Sequence, residues 1–140
     1  MIQYVIDSSV LLKWFVDEDH SETARRLQED EYDLIAPDLI LPESGNILWK
    51  KVQRRELTLA EARLVIKGIE QQPINVFPSE LVVESALEIA VDAGRTVYDS
   101  CYIALAMLNA CHVITADQRL ANSLQGSRYS QYVIKLADLP

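Results

Sequence analysis

Four carboxylates of this 140-residue chain lie where apolar segments end or turn polar. Asp7 and Asp117 each follow a short strand-like apolar run. Asp99 opens an apolar helical segment, and Glu43 interrupts another. An acid in such a place costs solvation and adds nothing to a core, so a set of four indicates a common function. Because hard divalent cations prefer oxygen ligands, the pattern predicts a divalent-metal site.

Each acid also has an ordinary structural explanation. Aspartate is among the best helix N-cap residues, which suits Asp7, Asp99 and Asp117, and Glu43 is compatible with a solvent-facing position. The joint occurrence favours the metal site. Helix N-termini at the strand-to-helix junctions of an α/β unit point toward one edge of the sheet, so the three aspartates are expected to meet there.

Four adjacent carboxylates repel one another, and Mg²⁺ or Mn²⁺ would relieve that repulsion. Such a metal can bind a phosphate oxygen and help ionise a water, without a protein nucleophile. Ser9 and Thr115 carry hydroxyls near two of the acids, and Asn46 shares a helix face with Glu43. These side chains could orient carboxylates or metal-bound waters. Ser9 and Asn46 equally suit local helix hydrogen bonds.

The bulk composition describes an ordinary globular protein. The length suits one domain, 1–140, and 49% hydrophobic with 24% charged residues argues against disorder. No apolar run is long enough for a membrane span and no signal peptide is apparent, so a cytoplasmic protein is expected. A net charge of −8 argues against a general nucleic-acid coat protein but not against a metal-dependent nuclease.

The two cysteines and two histidines argue against a zinc site. Cys101 and Cys111 lack Cys-x-x-Cys spacing and are expected to be buried thiols rather than a disulfide or ligand pair. With only His20 and His112, an imidazole-rich site is nearly excluded.

Strand-like and helical segments alternate along the chain. This order predicts an α/β fold: a three-layer α/β/α single domain with a mainly parallel five-stranded sheet. The predicted strands are 2–6, 33–36, 74–77, 112–115 and 132–136, and the predicted helices are 9–16, 20–31, 37–55, 58–71, 79–92, 98–110 and 117–124.

Several helix starts and ends carry a local signal. Thr58 and Glu61 have the spacing of a capping box, and Asp19 with Glu22 has a similar spacing. Ser79 is expected to cap the next helix, which Gly94 ends.

Four segments resemble the four motifs of PIN-domain nucleases, in order and spacing, and the resemblance covers essentially the whole chain. The match is closest to the VapC type, the toxin half of bacterial and archaeal toxin–antitoxin pairs. The four segments are 5–15, 41–46, 96–106 and 114–120.

This resemblance implies a PIN-like fold and a Mg²⁺- or Mn²⁺-dependent endoribonuclease. Asp7, Glu43, Asp99 and Asp117 would be its catalytic and metal-binding quartet. It also implies a homodimer held by an antitoxin whose tail covers the active site, as a heterotetramer or a larger complex. Some relatives carry a further acid shortly after the position of Asp117, where this chain has Gln118 and Arg119.

Other residues leave two interpretations open. The basic cluster at 50–55 suits either an RNA backbone or the negative end of a helix. Arg95, just before Asp99, is a candidate substrate contact or a surface residue, and Arg119 could contact a phosphate or shield the acids. The aromatic residues Trp14, Phe15 and Trp49 could form a partner surface or belong to the core.

Two other functions compete with the nuclease. A catalytically silent PIN-fold module could bind RNA or protein, but it has no reason to retain four mutually repelling acids. A phosphoryl-transfer or receiver-type domain that accepts phosphate on an aspartate would need a strand-end lysine and an acidic pair near the first strand. The segment Asp7-Ser8-Ser9 supplies only one acid there.

Overall fold

The computed structural model describes all 140 residues and centres on one five-stranded sheet. The strand order is β3-β2-β1-β4-β5, and every neighbouring pair is parallel. The predicted α/β class with a mainly parallel sheet is confirmed, and the sheet is in fact wholly parallel. The strands are β1 Ile2–Ile6, β2 Tyr32–Pro37, β3 Asn75–Phe77, β4 His112–Thr115 and β5 Val133–Lys135.

Seven helices connect the strands and give the predicted three-layer arrangement. The helices pack in two groups. In one group α1 packs on α3 and α3 packs on α4, and in the other α5 packs against α6. Short 3₁₀ turns occupy Ser79–Leu81, Ser130–Tyr132 and Leu136–Asp138. The helices are α1 Ser8–Leu12, α2 Ser21–Arg26, α3 Ile40–Gln53, α4 Leu59–Glu70, α5 Val83–Ala93, α6 Val97–Leu108 and α7 Gln118–Ser123.

The strand order reverses beside β1. From β1 the chain moves outward through β2 to β3, then returns across the sheet to β4, which pairs with β1 on its other side. In open parallel sheets such a switch point leaves a crevice at the carboxyl ends of the two strands. Asp7 comes directly after β1, and Asp117 lies two residues after the end of β4. The topology therefore brings these two acids to one crevice.

The core forms around β1, β4 and helix α6. Thirty-three buried hydrophobic residues make one cluster, and α6 is buried without a break over residues 100–106. This burial confirms the apolar helical segment predicted after Asp99. Both cysteines are buried and free, as expected. No helix has the length and apolar character needed to cross a membrane.

Two of the predicted helix caps are wrong. Helix α2 begins after His20, which has a left-handed backbone (φ 67°) and makes no side-chain cap, so Asp19 and Glu22 form no capping box. Ser79 begins a 3₁₀ turn rather than α5, because its hydroxyl donates a hydrogen bond to the Asp38 carboxylate from the neighbouring loop. In both places a tertiary or backbone requirement replaces the local cap.

Other local signals are confirmed. Thr58 and Glu61 form a capping box, with each side chain accepting the other residue's backbone N–H. Gly94 ends α5 with a left-handed backbone at φ 70°, where a side chain would be strained.

Two glycines inside helices differ in their surroundings and give a matched test of packing. A Cβ on Gly45 of α3 would meet no atom within 4 Å, whereas a Cβ on Gly68 of α4 would lie 2.6 Å from the Phe15 ring. We expect Gly45→Ala to stabilise the protein by about 1 kcal/mol, since alanine favours helix. Gly68→Ala should be less stable than Gly45→Ala by about 1–3 kcal/mol, because the half-buried Phe15 ring must move.

Urea unfolding of the two variants and the wild type measures both differences. Equal stability of the two alanine variants would contradict the close packing of Phe15 on α4.

Candidate metal centre

Asp7 is buried at the junction of β1 and α1, with 7% of its surface exposed. It caps α1 by accepting the Val10 N–H at 3.1 Å. Its carboxylate also accepts hydrogen bonds from the hydroxyls of Ser9, at 2.6 Å, and Thr115. Burial raises the pKa of Asp7, and the nearby charge of Asp117 adds to the rise, while these three hydrogen bonds oppose it. The result is a carboxyl group whose charge is costly to keep.

Ser9 and Thr115 tie the ends of β1 and β4 together. Besides its bond to Asp7, the Ser9 hydroxyl accepts the Ala116 N–H at 3.0 Å. The Thr115 hydroxyl similarly accepts the Asp117 N–H at 3.0 Å, so it contacts two of the four acids. Both hydroxyls therefore have the orienting contacts expected from the sequence. Asn46 is exposed and makes no hydrogen bond to any of the acids.

Asp117 is the N-cap of α7. One carboxylate oxygen accepts the N–H groups of Arg119 and Leu120, at 3.0 and 3.2 Å. Capping and clustering are thus not alternatives here, because both strand-end acids cap a helix at the shared crevice. A polar cleft of about 650 Å³ opens beside Asp117, and its charged or titratable lining residues are Lys13, Asp19, His20, Asp117 and Arg119.

Glu43 reaches the same region from the first turn of α3. Burial raises the pKa of Glu43, and the charges of Asp7 and Asp99 raise it further. A hydrogen bond from the Tyr102 hydroxyl, 2.5 Å from Glu43 Oε1, acts in the opposite direction. Glu43 therefore lies close enough to Asp7 and Asp99 for their charges to oppose its ionisation.

Asp99 lies in the first turn of α6 but does not cap it. The cap is Thr96, whose hydroxyl accepts the Asp99 N–H at 3.1 Å, which corrects the capping interpretation of Asp99. The Asp99 carboxylate instead pairs with the Arg95 guanidinium at 2.9 Å. The Arg95 Nε is buried and has no hydrogen-bond partner. Arg95 therefore contacts an acid of the predicted site directly.

Tyr102 is the contact that sequence reasoning missed. It lies one helical turn after Asp99, inside a helix that is otherwise almost entirely apolar, and only 2% of it is exposed. A tyrosine at a fully buried helix position is itself a signal, because its hydroxyl needs a partner there. The partner, Glu43, is 59 residues away in sequence. Only the tertiary structure, which brings Tyr102 of α6 to Glu43 of α3, reveals it.

The donor set fits a hard divalent cation in chemical type. Four carboxylates surround the switch point, and Asp7 and Glu43 have raised pKa values because burial and neighbouring negative charges oppose their ionisation. A bound cation would reverse that effect. The side chains do not converge, however: no group of three acids, histidines or cysteines is placed to hold an ion. Asp117 faces the start of α7 and Asp99 faces Arg95, so both side chains would have to turn to bind the same ion.

The basic and aromatic residues left open by the sequence are now placed. Lys51 forms ion pairs with Glu18 and Glu56, which supports a structural role at the end of α3. Trp14 belongs to the core and donates its indole N–H to the Ala24 carbonyl at 2.8 Å. Trp49 is 56% exposed.

The raised pKa of Asp7 predicts a pH dependence of stability in EDTA. A raised native pKa means that the native state binds this proton more tightly than the unfolded state. The protonated Asp7 carboxyl group therefore adds its full contribution to the free energy of unfolding at pH values below the ordinary pKa of aspartate. That contribution is lost as the pH rises through the pKa of Asp7 in the native state. Asp7→Asn removes this loss and keeps a good N-cap. We expect the variant to be more stable than the wild type at neutral pH and to lose less stability between acid and neutral pH.

Urea unfolding at several pH values in EDTA provides the measurement. The exposed Asp30, at the opposite end of the sheet, offers Asp30→Asn as the matched control, which should follow the wild-type curve. An Asp7→Asn protein that is less stable than the wild type at neutral pH would contradict the account.

Comparison with known proteins places the chain in a family. Residues 4–123 match the family profile of the PIN domain. Ribonuclease VapC3 of Pyrobaculum aerophilum is 31% identical over 122 residues, which cover 86% of this chain and 93% of that protein. Ribonuclease VapC9 of Mycobacterium tuberculosis is 30% identical over 121 residues, covering 86% of this chain and 91% of the relative.

Solved structures share the fold at lower identity. A Pyrobaculum aerophilum protein aligns with a TM-score of 0.70 at 23% identity, over 97% of this chain and 85% of its own. VapC20 of Mycobacterium tuberculosis, a toxin that cleaves the sarcin–ricin loop, aligns with a TM-score of 0.66 at 15% identity, over 86% and 94%. A chain of a toxin–antitoxin complex from Klebsiella pneumoniae aligns with a TM-score of 0.63 at 10% identity, over 97% of this chain and 99% of its own. The profile match and the sequence relatives show that this chain belongs to the PIN domain family, in its VapC group.

Proposed function

We propose that this protein is a divalent-metal-dependent endoribonuclease, the toxin of a type II toxin–antitoxin system. The whole chain, 1–140, would act as one nuclease domain that hydrolyses RNA phosphodiester bonds in the cytoplasm. The observation that carries the proposal is the buried Asp7 at the switch point, which shares the Thr115 hydroxyl with Asp117, and the nearby Glu43, whose charge Asp7 and Asp99 oppose. The naming of the relatives as VapC ribonucleases supports it.

The four acids are the proposed ligands and catalytic groups. When bound there, Mg²⁺, or Mn²⁺ in its place, supplies a Lewis acid for a phosphate oxygen and a means of ionising water. The chain's own residues hold the carboxylates for that task. Ser9 and Thr115 fix Asp7, whereas Asp117, which caps α7, would turn from the start of that helix to share the cation. With Asp7 and Glu43 largely shielded from solvent, little rearrangement of water is needed at these groups.

Positive charges beside the acids support an RNA substrate. The chain has a net charge of −8, so an anionic substrate needs local compensation. Arg95 is paired with Asp99, and its buried Nε has no partner. The cleft next to Asp117 adds Arg119 and the largely buried Lys13, whose ammonium group pairs with Glu18 at 3.3 Å. We propose that phosphates of the RNA backbone lie along this cleft, with Arg95 turning from Asp99 toward the substrate as the cation binds.

A catalytically silent RNA- or protein-binding module is the alternative. It is disfavoured because Asp7 and Glu43 keep carboxyl groups where burial opposes their charge. Perturbed carboxyl groups in a crevice are typical of functional sites. A binding module would gain stability from neutral side chains at these positions.

A homodimer and a cognate antitoxin complete the proposal. VapC proteins are the toxin half of such pairs, and the chain has exposed apolar surface available for partners. An apolar groove of about 500 Å³ between α3 and α4 contains Leu48, Trp49 and Val52. On α5, Val83, Leu87 and Val91 form an exposed stripe at four-residue spacing. We propose that these two apolar surfaces take part in the contacts with the second copy or the antitoxin.

Cleavage of end-labelled RNA tests the proposed activity. Purified protein free of partner is incubated with transfer, ribosomal and messenger RNAs in Mg²⁺, Mn²⁺ or EDTA. We expect cuts that require the metal. Asp99→Asn should reduce the rate by at least about 10²-fold, because it removes a charged ligand while leaving the fold intact. Asp30→Asn is the control and should cleave like the wild type.

Two outcomes would contradict the proposal. Cleavage that persists in EDTA or in Asp99→Asn would exclude the four-acid site as its source. Folded protein that binds RNA equally well with and without Asp99→Asn, and cuts none of the panel, would favour the silent module.

A further inference from the structure

A tyrosine hydroxyl is buried beside the proposed metal site without a packing reason. Tyr102 is 2% exposed, and its neighbours on α6 from Cys101 to Ala106 are buried apolar residues. Phenylalanine would fill the same space without the cost of removing a hydroxyl from water. The buried hydroxyl therefore needs a hydrogen-bond partner. It donates to Glu43 Oε1, at 2.5 Å, and the buried Ser8 side chain also lies beside it.

The bond joins two of the elements that carry acids. Glu43 comes from the first turn of α3. On α6, Tyr102 follows Asp99 by three residues, so Tyr102 and Asp99 lie on the same side of that helix. Unlike Asp7 and Asp117, Glu43 receives no bond from a backbone N–H. Its long side chain has three rotatable torsions, and Tyr102 is its only hydrogen-bond partner. Tyr102 thus fixes where this carboxylate lies.

The geometry leaves one oxygen of Glu43 available. Tyr102 contacts Oε1, and no side chain or backbone group donates to Oε2. A phenol is a protonated donor at neutral pH, so it can hold a charged carboxylate without adding a positive charge that would repel a cation. Arg95, the partner of Asp99, does add such a charge. Tyr102 is therefore suited to orient a ligand that must stay able to bind metal.

We propose that Tyr102 is a positioning residue that holds Glu43 by Oε1 and presents Oε2 to the divalent cation. This inference rests on the proposed metal-dependent site. It assigns Tyr102 no contact with the substrate or the metal. Its consequence is that the Tyr102 hydroxyl raises metal affinity through Glu43 and through no other group.

Tyr102→Phe tests the proposal with Mn²⁺ as the probe. Calorimetric titration of the RNA-free protein should give a Mn²⁺ dissociation constant about tenfold or more above that of the wild type, as for other groups that orient metal ligands. RNA cleavage by the variant should be restored at high Mn²⁺ concentration, because the reacting groups are intact. Tyr98→Phe is the matched control: Tyr98 lies one turn earlier on α6, is 66% exposed, and should leave Mn²⁺ binding unchanged.

A double-mutant cycle separates positioning from packing. In the Glu43→Gln background, Tyr102→Phe should cause no further loss of Mn²⁺ affinity. A loss of the same size in both backgrounds would overturn the proposal, because Tyr102 would then act independently of Glu43. Unchanged Mn²⁺ affinity in the folded single variant would also overturn it. A Tyr102→Phe protein that does not fold would show that the hydroxyl serves the fold instead.

The wild type distinguishes this failure from a failure of the proposed function. If the wild type binds Mn²⁺ and Tyr102→Phe binds it equally well, only the role of Tyr102 is wrong. If the wild type binds no Mn²⁺ at all, the metal-dependent activity and this inference fail together.

Discussion

Repulsion between carboxylates that are partly removed from water is the constraint on which the site depends. Asp7 is almost fully buried, and its charge is opposed both by burial and by Asp117. The negative charge of Glu43 is likewise opposed by burial and by the charges of Asp7 and Asp99. A protein accepts such an arrangement when the charges have a use, and a divalent cation both relieves the repulsion and supplies that use. The hydrogen bonds donated to Asp7 and Glu43 offset part of the cost of burying these charges.

The fold holds the four acids in two different ways. The parallel register of β1 and β4 places Asp7 and Asp117 at neighbouring strand ends, where each also caps the following helix. Glu43 and Asp99 come from helices and lack that backbone support. They are instead held by side chains, Glu43 by Tyr102 and Asp99 by Arg95. Topology thus places the strand-end acids, whereas the helix acids need partner side chains. To share one cation, Asp117 would turn from the start of α7 and Asp99 from Arg95.

The strand-end half of the site could be predicted from the sequence. Apolar runs of strand length followed by aspartate, within an alternating α/β order, are sufficient to place Asp7 and Asp117 at one crevice, and Ser9 and Thr115 beside them. The resemblance of four segments to PIN-domain motifs added Glu43 and Asp99. The partners of Tyr102 and Arg95 could not be assigned from the sequence. The contact of Tyr102 with Glu43 depends on the packing of α6, and Arg95 could equally have pointed into solvent instead of pairing with Asp99. For the same reason the start of α5 was wrong: Ser79 bonds to Asp38, which local spacing does not reveal.

The central claim is that Asp7, Glu43, Asp99 and Asp117 bind one divalent cation, for which Asp99 would leave Arg95 and Asp117 would turn from the start of α7. Crystals of the protein grown with Mn²⁺ would test it most directly, through an anomalous difference map at the manganese edge. The account predicts a peak at the carboxyl ends of β1 and β4, within bonding distance of Asp7 and Glu43, with the Arg95–Asp99 pair opened. A well-ordered crevice without a peak, or a peak bound only at another part of the surface, would contradict it.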